Sequence, residues 1–158
     1  MIGEAPRRLE AVLHEPPGSP RGAVAVCHPH PKYGGDMESN VVVAVARRLA
    51  REGLVALRFN FGGVGAMAAQ GLPRVSRVIT IGRPLGLFDW SFAPALCQRL
   101  AVVVGDRDQF CPADALGRFA VDLDMTPTVL RGADHFFGGR EDEVAAAVVA
   151  HLTVQVQD

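Results

Sequence analysis

Apolar and polar positions recur along this chain with two different periods, and the switches between them mark out its elements. Residues 8–14, RLEAVLH, alternate with period two and run into the Pro/Gly turn PPGSP, which leads to a second strand-like run, GAVAVCH at 22–28. The pair reads as an edge hairpin. Val, Ile and Leu dominate LVALRFN at 54–60, VSRVITI at 75–81, LAVVVG at 100–105 and PTVLRG at 127–132, each closing on a turn that contains Gly or Asp. Such runs suit strands buried on both faces. Over 39–52 the period becomes helical, with Val41, Val45 and Leu49 on one face, Val42 and Ala46 beside it, and Gly53 placed as the C′ stop. Residues 113–121 and 140–152 are the other two helices; Glu141, Asp142 and Glu143 open the last one, where the helix dipole favours negative charge. Strands alternating with helices predict one α/β domain over 1–158, a mostly parallel sheet flanked by helices.

With 49% hydrophobic and 21% charged residues, the 158-residue chain has the makings of a packed core and not of a disordered one. Sixteen basic residues against 17 acidic leave a net charge of -1, without the Lys/Arg excess that phosphate backbones or anionic membranes attract. Nucleic acid and membrane are therefore not expected partners. The opening MIGEAPRRLE lacks the apolar core of a signal peptide, and VVVAVA at 41–46 and VAAAVVA at 144–150 are too short to span a bilayer. A cytoplasmic location is expected. Cys27, Cys97 and Cys111 form no CxxC pair and are odd in number, so they read as small buried hydrophobes.

In open parallel sheets ligands bind beyond the carboxyl ends of the strands. Four loops there carry chemistry: Cys27-His28-Pro29-His30-Pro31 with Tyr33-Gly34-Gly35, Phe61-Gly62-Gly63-Val64-Gly65, Gly105-Asp106-Arg107-Asp108, and Gly132-Ala133-Asp134-His135-Phe136-Phe137. An Asp after one strand and a His after the next are placed as orienting acid and general base of acyl transfer, which points to Asp108 and His135. The plainer alternative makes Asp106 and Asp108 caps of the helix near 113, with His135 a satisfied polar side chain. Other constellations compete. His28, His30, Asp108 and His135 offer imidazole and carboxylate to a metal, and Cys111 offers a thiol nucleophile. Gly63-Val64-Gly65 begins a GxGxxA stretch in the outline of an NADP-type nucleotide site, although Arg83 and Pro84 stand where its acidic residue belongs.

Taken in order, HPHP-x-YGG, LRFNFGGVG, GDRDQFCP and GADHFFGGR resemble the small α/β-hydrolases related to the dienelactone hydrolases, over most of the chain. The resemblance implies ester or related acyl-bond hydrolysis of a small-molecule substrate, without a cofactor or metal. It implies Asp108 as triad acid, His135 as triad base and the backbone N–H of His30 in the oxyanion hole, since Pro29 and Pro31 have no N–H. The family's serine sits in a GxSxG elbow on a central strand, and no GxSxG occurs here. Ser19 lies in the PPGSP turn, Ser39 starts a helix, Ser76 falls within a predicted strand and Ser91 lies in DWSF. The resemblance thus implies an α/β-hydrolase sheet lacking its central nucleophile strand, with the register breaking between Gly65 and Ala66. Three arrangements would close such a gap: direct pairing of 22–28 with 75–81 across a short 66–74 crossover, pairing with a second copy in a homodimer, or additional residues at 65–66. A non-catalytic pseudo-hydrolase that keeps the pocket as a binding module is the competing function.

Overall fold

The computed structural model describes residues 9–61 and 69–153. The chain divides into two compact units, Met1–Val64 and Gly65–Asp158.

In the first unit, β1 (Ala11–His14), β2 (Ala23–Cys27) and β3 (Val55–Phe59) form a sheet of order β1-β3-β2. β3 runs antiparallel to β1, with Leu13 opposite Leu57, and parallel to β2, with Ala25 opposite Leu57. The expected edge hairpin is therefore corrected: β1 does form an edge, but it pairs with β3. The connection 15–22, with Pro16, Pro17 and Pro20, is too long for a two-residue hairpin turn and frees β1 to cross to the far side of β3. Arg58 of β3 secures that arrangement. It is buried, and its Nε donates to His14 Nε2 at 2.9 Å while Nη1 donates to the Met37 carbonyl at 2.9 Å and to Glu38 Oε1 at 2.5 Å. Helix α1 (Asn40–Arg51) connects β2 to β3 and buries Val42, Val45, Ala46 and Leu49. It ends as the sequence predicts. Gly53 adopts φ +83°, and Leu54 N donates to the Leu49 carbonyl at 3.0 Å, the bond that turns the chain out of the helix.

In the second unit, β4 (Val78–Ile81), β5 (Leu100–Gly105) and β6 (Thr128–Leu130) form a parallel sheet of order β4-β5-β6. β5 is buried at every position, as a central parallel strand must be. Leu100, Val102 and Val104 face a core that includes Phe92, Leu96, Cys111 and Leu116. Ala101 and Val103 alternate to the opposite face. Three helices surround this sheet: the short α2 (Ala93–Leu96), α3 (Ala113–Asp122) and α4 (Glu141–Thr153), which lies across all three strands and buries Val144, Ala145 and Val148. Each large core side chain contributes roughly 1.5–3 kcal/mol by leaving water. No described helix is long and apolar enough to cross a membrane.

β2 and β4 belong to different three-stranded sheets, each at an edge. No crossover helix runs through 69–74: Ala69–Gly71 is a 3-10 turn, and β4 begins only at Val78, leaving Ser76 outside it. A parallel crossover needs about a dozen residues or more, which 66–74 cannot supply. The Gly65–Ala66 junction lies outside the described residues, as does the Gly63-Val64-Gly65 stretch of the nucleotide-site alternative.

Two histidines tie the fold to pH. The His14 pKa is lowered from 6.5 by burial and then by Arg58 and Arg47, and that of His151 by burial and then by Arg77. Above 6.5 both are neutral folded or unfolded; below it the unfolded chain takes up protons that the folded chain resists, so stability falls. Urea midpoints are expected to drop between about pH 6.5 and pH 5, before most carboxylates titrate, and to drop less in the His14→Gln/His151→Gln double variant. A decline that is just as steep in the double variant would reject this assignment.

Candidate active site

The loop after β5 and the loop after β6 are joined by backbone. Asp106 N donates to the Leu130 carbonyl at 3.2 Å, Arg107 N to the Ala133 carbonyl at 3.0 Å, and Gly132 N to Asp106 Oδ1 at 2.6 Å. The approach is closest at Gly105, where a Cβ would lie 2.1 Å from the Ala133 carbonyl oxygen. Only glycine allows the two loops to meet at this depth. The His135 loop is held from its other side as well, because Asp134 Oδ1 accepts from both Phe136 N and Phe137 N at 3.0 Å. Phe137 itself is buried in a left-handed conformation, φ +53°.

This scaffold brings Asp108 and His135 together. His135 Nδ1 lies 3.0 Å from Asp108 Oδ2 and 3.1 Å from Oδ1, and Oδ1 also accepts from Phe110 N at 2.9 Å. The carboxylate side chain is wholly buried, whereas that of His135 is 21% exposed. An ionised carboxylate only accepts, so the Nδ1 proton faces Asp108 and Nε2 is left as the basic nitrogen. Phe110 and Phe136 meet the imidazole edge-on at 4.7 and 5.2 Å and hold it sideways. The arrangement can therefore take a proton at Nε2 and steady the resulting imidazolium.

The plainer reading of the acids is not what the structure adopts. The N-cap of α3 is Pro112, without a side-chain cap, and Asp106 and Asp108 are turned to Gly132 and to His135. The thiol alternative for Cys111 is not favoured: burial, then the Asp108 carboxylate, push its thiol up to about 11, so it stays protonated at neutral pH. Cys27 is exposed and Cys97 half-buried, which leaves Cys111 alone of the three as a buried hydrophobe.

In the first unit, His28 and His30 sit beyond β2, and their roles differ. His28 is buried, with Nδ1 2.6 Å from the Pro29 carbonyl and Nε2 accepting from Phe61 N at 3.1 Å. Both ring nitrogens are thus occupied, and the imidazole ties the loop after β2 to the loop after β3. The metal alternative that included this histidine is not what its ring nitrogens serve; its position flanking β2 was the one signal of the structural role. Asn60 adds a second tie, accepting from Met37 N at 2.9 Å. His30 begins the 3-10 turn Pro31–Tyr33, and its Nδ1 accepts from Lys32 N at 3.2 Å. Gly35 lets the chain return under Pro29, whose carbonyl oxygen would be 2.1 Å from a Cβ there. Among the described residues no three His, Cys, Asp or Glu side chains gather as a metal site. None of the four serines stands on a strand-to-helix turn: Ser19 is in a bend, Ser39 flanks α1, Ser76 precedes β4, and Ser91 Oγ donates to Asp89 Oδ2 at 2.8 Å.

With this geometry in hand, comparison with known proteins defines the class. No family model matches the chain. It is 38% identical over 73 residues to an uncharacterized protein of Rickettsia prowazekii (strain Madrid E); the match spans 46% of this chain and 29% of that protein. Among solved structures, an α/β serine hydrolase homologue from Coxiella burnetii is similar at a TM-score of 0.75 with 25% identity, covering 92% of both chains. An α/β serine hydrolase without a lid from Xanthomonas campestris gives 0.77 with 23% identity, covering 95% of this chain and 90% of that one. Est1E of Butyrivibrio proteoclasticus, solved with ferulic acid, gives 0.70 with 16% identity, covering 95% and 96%. The fold is of the α/β-hydrolase type, and its structural neighbours are serine hydrolases.

Two outcomes test the site. Gly105→Ala should destabilise by roughly 1–3 kcal/mol or more in urea unfolding, because backbone cannot yield as a side chain would. In proton–nitrogen NMR the wild type should show a downfield His135 Nδ1 proton that Asp108→Asn loses; its absence from the wild type would contradict the assigned tautomer.

Proposed function

We propose that this chain belongs to the serine esterases of the dienelactone hydrolase kind, reads as one α/β-hydrolase domain, and hydrolyses a small-molecule ester or related acyl bond once its nucleophile strand is present. The contact between His135 and the buried Asp108 carboxylate is the observation that carries this reading. In this reading His135 Nε2 takes the proton from a serine hydroxyl as its oxygen attacks the acyl carbon, then gives it to the departing alcohol. Water repeats the sequence to release the acid. Asp108 keeps the Nδ1 proton in place, and the resemblance to the dienelactone hydrolases assigns the oxyanion to the His30 N–H.

The serine itself belongs to a segment that the proposal places between Gly65 and Ala66. Two observations support that placement: no serine of this chain stands on an elbow, and β2 and β4 each end a three-stranded sheet. The lack of a nucleophile also favours a second reading, a pseudo-hydrolase that binds without turning over, and the experiment separates the two. Protein isolated from its native cells should exceed the mass of a 158-residue chain by at least roughly thirty residues, the size of a strand–helix–strand unit, and should take up a fluorophosphonate on one serine. Protein made from this sequence alone should show neither, and should hydrolyse p-nitrophenyl acetate no faster than its His135→Ala variant. A native protein of 158 residues that resists the label would establish the pseudo-hydrolase.

A further inference from the structure

We infer that the second unit holds an apolar subsite near His135, one that accepts an uncharged aliphatic or aryl group of the substrate. The inference rests on the hydrolase reading and adds the chemical class of the group bound. An open depression of about 400 Å³ is lined by Leu85, Leu87, Phe110, Pro112 and Ala115, with Gln109 as its polar side chain. Among the described residues no charged one lines it. Phe110 belongs to both places: its ring lines the depression and meets His135 at 4.7 Å, while its N–H donates to Asp108. A group seated there lies one ring, that of Phe110, away from the imidazole.

The other wall is a loop closed on itself. Arg83 Nη2 donates to the Asp89 carbonyl at 2.8 Å, and Trp90 Nε1 donates to the Pro84 carbonyl at 3.1 Å, so the segment 84–89 is clasped at both ends. The Arg83 guanidinium lies over the rings of Phe88, Trp90 and Phe92 at 5.0, 5.2 and 5.3 Å, contacts that attract a cation to aromatic faces. Its charge is thereby committed to the clasp, and it does not line the depression. At the loop tip Leu87 is 60% exposed. A carboxylate laid against this apolar lining would give up part of its hydration without gaining a cation, whereas an apolar group gains by covering it.

The test uses fluorine NMR titration of this protein with two probes of similar shape. 4-Fluorophenol is neutral at pH 7, since phenols ionise near about pH 10, and 4-fluorobenzoate is its anionic counterpart. 4-Fluorophenol should bind saturably and about tenfold or more tighter than 4-fluorobenzoate. Ala115→Trp, which fills the depression, should weaken 4-fluorophenol about tenfold. Leu87→Lys, at an exposed position that tolerates change, should narrow or reverse the preference by supplying the missing cation. Equal binding of the two probes, no binding of 4-fluorophenol, or an unchanged preference in Leu87→Lys would each overturn the subsite. Binding needs no nucleophile, so such a failure would leave the mass and labelling results of the hydrolase reading untouched, and their failure would leave the subsite standing.

Discussion

The candidate site depends on one close approach, that of the Ala133 carbonyl over Gly105 at the end of β5. A side chain at 105 would push the two loops apart, and every contact that follows would lengthen with them: Arg107 to Ala133, Gly132 to Asp106, and His135 to Asp108. The His135–Asp108 contact thus rests on the absence of a single methyl group at 105. The core beneath makes the approach rigid. Val102 and Val104 are anchored among Phe92, Leu96 and Leu116, and the Asp108 carboxylate is wholly buried yet fully partnered, by Phe110 N and by His135.

The first unit obeys the same rule with different groups. Its central strand carries a buried arginine, which would be costly alone but is satisfied by His14, the Met37 carbonyl and Glu38. One guanidinium thus links the edge strand to the segment leading into α1. At the carboxyl ends of the strands, His28 and Asn60 tie the loop after β2 to the loop after β3. These polar ties fix the backbone at the carboxyl ends of both strands.

Aromatic side chains do a second kind of work in the other unit. Phe110 and Phe136 hold the imidazole, Phe137 packs over the turn at Gly82, and Trp90 with Phe88 and Phe92 receives Arg83. The result is an imidazole flanked by apolar surface, with the nearby cation turned elsewhere.

Much of this was legible before any coordinates. The Val/Ile/Leu runs matched the parallel strands within a few residues, although of these strands only β5 is buried at every position, and Gly53 marked the end of α1 because few residues adopt its backbone. Asp108 and His135 could be singled out because strand ends collect functional groups in this architecture. What the sequence could not contain is pairing. Period two identifies β1 and β2 as strands but says nothing of their neighbours, and tertiary structure inserted β3 between them through Arg58. Nor does a linear string distinguish His28, consumed by two backbone groups, from His135, whose Nε2 is left basic; that difference arises only from what the fold brings within 3 Å or so of each ring.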